Sequence, residues 1–228
     1  MFSVVFEVKP ARSQFDEYLE LAKRLRPILE MIDGFIDNER FESQRRPGWI
    51  LSHSTWRDEK AVVRWRTVAE HHAVQQQGRD QVLDDYHLRV GDVTADTAGP
   101  VHEHRFDATE IAPAKVVTLT ELTPANDQAP RDAGDLPDAL GLELPSAGVV
   151  DHDVFASIYN PGKMALLVSW IDHDTAAAWT PTAGPEIAEL RHRTVRVVRD
   201  YGKFDRREAP QYYPDAPEHQ TMHALPSL

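Results

Sequence analysis

PGWILSHSTWRDEKAVVRW, residues 47–65, has a counterpart in PGKMALLVSWIDHDTAAAW, residues 161–179. Pro47-Gly48 falls on Pro161-Gly162, Trp56 on Trp170, Asp58 on Asp172 and Trp65 on Trp179, all at one offset of 114 residues. The chain has five tryptophans in 228 residues, so two tryptophan pairs at one offset mark a duplication. Outward from this stretch the same offset carries Glu7 onto Glu121, Pro10 onto Pro124 and Gln14 onto Gln128. It also carries Gly34 onto Gly148, Asp37 onto Asp151, Phe41 onto Phe155 and Ser43 onto Ser157. With one residue inserted, Asp85-Tyr86 falls on Asp200-Tyr201.

Each half reads as strand–helix–strand–strand–helix–strand. Phe2–Val8 is an apolar, β-branched run closed by Lys9-Pro10, which suits a strand and then a helix start. Residues 11–32 set Phe15, Tyr18, Leu25, Leu29 and Ile32 at helical spacing, with Pro27 expected to kink the helix and Gly34 to end it. Residues 34–43 and 49–56 are expected strands, joined by a turn at 44–48 whose Arg45-Arg46 is expected to be solvated. Asp58 N-caps a predicted second helix reaching about Leu83, and 86–93 closes the unit as a strand. The second half keeps strands at 115–122, 148–158, 163–171 and 194–204. Its helices are damaged: Pro130, Pro137 and Pro145 interrupt the first, while Pro181 and Pro185 leave residues 185–192 as a short remnant of the other. The expected organisation is a first unit at 1–95, a linker at 96–113, a second unit at 114–207 and a tail at 208–228.

Composition removes several classes. With no cysteine there is no disulfide framework, thiolate metal site or cysteine nucleophile. A net charge of −12 argues against a nucleic-acid or anionic-membrane binder, and no apolar run approaches the ~18 residues of a membrane span. MFSVVFEVKP has no basic segment followed by an apolar stretch and a cleavage site, so a cytoplasmic protein is expected.

The βαββαβ pattern is ferredoxin-like. The stretches Gly34-Phe35-Ile36, 47–52, Trp56-Arg57-Asp58-Glu59, Trp65-Arg66, Glu70-His71, Gly78-Arg79 and Asp85-Tyr86 make the chain resemble the antibiotic biosynthesis monooxygenase family. The resemblance is carried well by residues 2–93 and weakly by 115–206. It implies an α+β fold in which two ferredoxin-like repeats form an intrachain dimeric α+β barrel, the second repeat with degraded helices. Assembly is then a monomer that is its own pseudo-dimer, or a homodimer of it. Family members include cofactor-independent oxygenases of aromatic polyketides and haem-degrading oxygenases.

The resemblance points to His71, on the second helix, as a base near neutral pH that deprotonates a phenol or enol. Trp65, Arg66 and Asn38 are the candidate donors to a developing oxyanion, with Asn38 expected to face the barrel interior. The tryptophans at 56 and 65 recur at 170 and 179, which favours packing over chemistry for them. The expected reaction is oxidation of a small aromatic phenol or hydroquinone by dioxygen with no cofactor. Haem is the alternative cofactor. Haem-degrading relatives place an axial histidine ten residues after a tryptophan and an asparagine on the first strand; here those positions hold Gln75 and no Asn. His192, on the short helical remnant, is the replacement ligand. A non-catalytic binding protein is the third alternative. No metal site is expected: His102 and His104 would share a strand face without a third ligand, and Asp151-His152-Asp153 and Asp172-His173-Asp174 fit strand and cap roles. The damaged second repeat places the site in the first repeat's half.

Overall fold

The computed structural model describes residues 1–125 and 136–210. The first repeat runs β1 (Phe2–Pro10), α1 (Phe15–Glu30), β2 (Phe35–Ser43), β3 (Ile50–Trp56), α2 (Glu59–Arg66), α3 (Ala69–Gln77) and β4 (Leu83–Asp96). The second runs β5 (Val116–Pro124), α4 (Leu136–Ala139), β6 (Val149–Ser157), β7 (Met164–Trp170), α5 (His173–Ala177) and β8 (Ile187–Gly202). Pro130, one of the expected breakers, lies outside the described residues, as does the tail beyond 210. The strands close one barrel in the order β1-β3-β2-β6-β7-β5-β8-β4.

An internal two-fold relates the repeats. On one seam Phe41 pairs with Ser157 and Ser43 with Phe155, so each residue faces the repeat mate of the other around Glu42–Ala156. The second seam is centred on Asp92–Arg196, flanked by Gly91–Val197 and Val93–Val195. This is the self-complementary geometry of a two-fold dimer made within one chain.

Register corrects one correspondence. Val8 pairs with Tyr86 in the first repeat, and its mate Leu122 pairs with Leu190 in the second. Tyr86 therefore corresponds to Leu190, an offset of 104, and the match of Asp85-Tyr86 to Asp200-Tyr201 is coincidental. The second repeat has lost ten residues where α2 and α3 stand in the first. Residues 187–192, expected as a helical remnant, are instead the start of β8, because Leu190 and His192 take up pairing with Leu122 and Thr120 of β5.

Gly34 and Gly148 do the same job in the two halves, as do Asp58 and Asp172. Gly34 and Gly148 have φ of +92° and +81°, and their carbonyls accept the N–H of Arg57 and Ile171. A Cβ at either would lie within 2.6 Å of Ala61 or Thr175 on the following helix. Only glycine permits both the backbone and the approach. Asp58 and Asp172 cap those helices by accepting from Ala61 and Thr175.

α1 runs unbroken through Pro27 and buries Leu21, Ala22, Leu25 and Leu29. The second helix of the first repeat is not the continuous one expected. It breaks at Thr67-Val68: the Thr67 hydroxyl donates back to the Val63 and Arg64 carbonyls, and Val68 is extended (φ −63°, ψ 129°). The chain at 97–115 carries no helix or strand, so the shared strand face expected for His102 and His104 is not formed. Instead the buried Asp92 carboxylate accepts the N–H groups of His104 and Arg105.

Candidate active site

Alternation along the strands divides the sheet into two faces. Inward-pointing Val5, Phe41, Leu51, Leu119, Phe155 and Leu167 fill the barrel. The outward face meets the helices, and there the two repeats part company. In the second repeat Val154, Leu166, Val168 and Trp170 pack directly against Leu136, Leu140, Leu142 and Trp179. The mates of Val154, Leu166 and Val168 in the first repeat are Arg40, Ser52 and Ser54. Together with Asn38 these form the floor of a cavity of about 240 Å³, roofed by α1, α2 and α3. In the first repeat these polar side chains have space beside them, whereas the second repeat's Thr120 and His192 are buried on this face as a hydrogen-bonded pair.

Asn38, Trp65, Arg66 and His71 all line this cavity. The broken helix is what brings the last three together. His71 is six residues past Trp65, too far round a continuous helix to touch it, yet its ring stacks on the indole at 3.9 Å between centroids and 14° between planes. Its Nδ1 lies 2.9 Å from the Trp65 carbonyl oxygen. A carbonyl only accepts, so Nδ1 carries the proton and Nε2 keeps its lone pair. Burial pushes the His71 pKa down to about 4, outweighing that hydrogen bond, so the ring is neutral at pH 7.

Asn38 corrects a placement. It lies on the outer face of β2, not in the barrel interior. Its Nδ2 donates to the His53 carbonyl (2.8 Å) and to Ser52 Oγ (3.3 Å), and Arg40 donates to its Oδ1. Register shifts between Phe35 and Asp37, which sets Asp37, Glu39 and Phe41 inward and Asn38 outward. Arg66 carries a buried Nε with no hydrogen-bond partner.

Sequence reasoning missed the part of the wall supplied by the second repeat. Arg199 and Tyr201, at the end of the sixteen-residue β8, line the same cavity as Tyr86. Both residues reach it because β8 pairs with β4 of the first repeat, Arg199 opposite Val90 and Tyr201 opposite Leu88, a pairing with no signal in the local sequence. His192 is elsewhere. It sits on β8 with Nδ1 2.8 Å from Thr120 Oγ1 and its ring edge on Trp179, inside the packed second-repeat core. That setting opens no face to a haem, and the residues there do not fit one. No group of three or more metal-ligating side chains occurs among the described residues.

The barrel interior holds buried ion pairs that follow the two-fold. Glu7 takes Arg89 and Arg46, and its mate Glu121 takes Arg193 (2.5 Å) and Lys163 (2.7 Å). Arg89 and Arg193 are mates at the offset of 104. Arg46, expected to be solvated, also bonds buried Asp153 at 2.6 Å. The turn folds back over the barrel mouth, and carboxylates already buried there need a cation. Burial alone would raise the Glu121 carboxyl, but the Arg193 and Lys163 charges outweigh it and hold the group at about 2.

These settings fix the response to acid. Burial pushes His53, His71 and His192 each from 6.5 to about 4, with the Arg193 charge assisting at His53. Below 6.5 the unfolded chain binds protons that the native chain does not. Their contribution is therefore intact above about pH 6.5 and is lost as pH falls toward 4, with Glu121 adding a loss between 4.5 and about 2. Urea midpoints are expected to fall steadily from pH 7 to 4, with about two to three protons taken up on unfolding. A flat profile would show that these imidazoles are not held neutral.

A closed α+β barrel with one helix-roofed cavity defines the class, and the chain belongs to the antibiotic biosynthesis monooxygenase family. The family's model matches residues 1–77, which include Asn38, Trp65, Arg66 and His71. The chain is 47% identical to the jasmonate monooxygenase ABM of Pyricularia oryzae (strain 70-15), over 95% of this chain and 100% of that protein. Among solved structures, an aldoxime dehydratase matches in fold with a TM-score of 0.54 and 12% identity, covering 86% of this chain and 80% of its own. An anthrone oxidase-like protein is also similar, at 13% identity over 88% and 92% of the two chains, with a TM-score of 0.37. The family and the 47%-identical relative both carry monooxygenase names, and no helix among the described residues is long and apolar enough to cross a membrane.

Proposed function

We propose that the protein oxidises a small phenol or hydroquinone in the cavity beneath α1–α3 with dioxygen and no resident cofactor. The observation that carries this reading is His71, a neutral imidazole whose Nδ1 bonds the Trp65 carbonyl and whose ring stacks on the Trp65 indole, in a mostly apolar cavity. Nε2 accepts the substrate proton. The electron-rich anion passes one electron to dioxygen, and the radical pair joins as a hydroperoxide at a ring C–H carbon. Loss of water then leaves a quinone. Phenol and dioxygen give quinone and water, so the substrate supplies all the electrons. A conjugate acid at about 4 facing a phenol near 10 puts proton transfer about 8 kcal/mol uphill. That lies within the roughly 16 kcal/mol barrier of a reaction turning over at about 10 per second. Arg66 in the lining lowers the cost by favouring the anion.

The name of the 47%-identical relative favours a second reading, a jasmonate-class substrate. Hydroxylating a saturated carbon consumes two electrons and two protons besides dioxygen, so this reading requires an external two-electron donor such as a reduced nicotinamide or flavin. Oxygen uptake separates the two. With an anthrone or hydroquinone and labelled dioxygen, one oxygen molecule consumed and one labelled atom incorporated per substrate, with no added reductant, is expected. Uptake only with jasmonate and reduced nicotinamide would move the assignment to the second reading. Uptake under neither condition would remove both.

A further inference from the structure

The charges around the cavity run against the rest of the molecule. The chain has 37 acidic and 25 basic side chains, yet among the described residues the lining contains Arg40, Arg66, Arg79, Arg199 and Arg206 against the single acidic residue Glu59. Glu59 is already engaged by Arg105 at 2.7 Å and stands 3.9 Å from Arg199. Arg66 has no carboxylate partner among the described residues, and its Nε is buried without a hydrogen bond. Burying a guanidinium donor with no acceptor is costly unless something arrives to accept. The second repeat supports the same conclusion from the opposite side. Where the cavity is filled, the mates of Arg40 and Arg66 are Val154 and Thr180, so the cations went when the space did. The opposing wall, formed by Leu21, Leu25, Leu29 and Val62, is apolar.

We infer that the cavity contains an anion subsite, built by Arg66 of the first repeat and Arg199 of the second, which receives the carboxylate of an amphipathic organic acid whose hydrocarbon body lies on the α1 leucines. This rests on the cavity being the substrate site proposed above, and it specifies the substrate class. Arg66, Arg199 and Arg206 line the cavity together with Tyr201, and the Arg206 guanidinium sits over the Tyr201 ring at 5.2 Å.

Calorimetric titration under anaerobic conditions tests the subsite without turnover, using jasmonate and its methyl ester as probes of equal body and unequal charge. The wild-type chain is expected to bind the acid about 10- to 100-fold more tightly than the ester. Arg66→Gln and Arg199→Gln are each expected to remove most of that preference while leaving ester binding within about threefold, and Arg66→Lys to restore part of it. Arg24→Gln, on the exposed side of α1, is the control for net charge. Equal binding of acid and ester by the wild type, equal weakening of both by Arg66→Gln in a variant with unchanged circular dichroism, or no binding of jasmonate would each overturn the subsite. A preference for the acid with no oxygen uptake from jasmonate, with or without reduced nicotinamide, would uphold the subsite and remove jasmonate as a substrate. Turnover that accepts acid and ester alike would do the reverse.

Discussion

Replacing Arg193 by methionine is expected to lower the unfolding free energy by about 3–5 kcal/mol. The side chain is 1% exposed and donates to Glu121 at 2.5 Å, with Asp96 and Asp37 at 3.7 and 3.9 Å. Methionine fills similar space, so the cost comes from charge. Glu121 would remain inside the barrel with Lys163 as its remaining close cation. An exposed pair such as Lys23–Glu20, with both side chains at least 70% exposed, contributes at most about 0.5 kcal/mol and is the contrast. Adding Glu121→Leu to Arg193→Met is expected to recover most of the loss, since no unpaired charge is then left in the barrel. Urea unfolding at pH 7 measures both. A loss below 1 kcal/mol in the single variant would show that water reaches Glu121 and that the barrel interior is not the low-dielectric site its burial implies.

The contrast between what the residues announced and what they concealed follows from which interactions are local. Gly34, Asp58 and Trp56 were legible as a repeat because each performs a job set by its neighbours: a left-handed φ, a cap and a core indole. Those jobs do not change when the helices around them degrade. The buried charges were not legible. Arg45-Arg46 reads as a solvated turn until the closed barrel sets Glu7 and Asp153 beneath it. The last strand was misaligned because a chance Asp-Tyr pair outweighed a ten-residue deletion visible only in register. His71 and Trp65 were named, but their contact was not. The break at Thr67-Val68 contains neither proline nor glycine, and its cause is a hydroxyl returning to the preceding turn. Asn38 was put on the wrong face by one residue of register, which on a strand is the whole difference. The second repeat's contribution to the wall, Arg199 and Tyr201, depends on the pairing of β8 with β4, a contact between residues more than a hundred positions apart.

The second large effect belongs to His71. His71→Ala is expected to reduce kcat by about 10²- to 10⁴-fold on any substrate the protein turns over, the range for loss of a positioned general base. The hydrogen bond that orients the ring goes to the Trp65 backbone carbonyl, so it survives Trp65→Phe, and the stacked face survives in part. Trp65→Phe should therefore retain most of kcat, whereas Trp65→Leu removes the stack and should fall well below it. The pH profile separates a base from a packing residue. With a pKa of about 4, His71 is unprotonated across the neutral range, so kcat/KM governed by it should be level from about pH 8 to 5 and fall as pH drops through 4. In His71→Ala that acid limb should vanish from the residual activity. A variant that keeps its kcat within threefold, or that loses activity while retaining the same limb, would place the essential proton acceptor elsewhere and leave His71 as the wedge that holds α3 over the cavity.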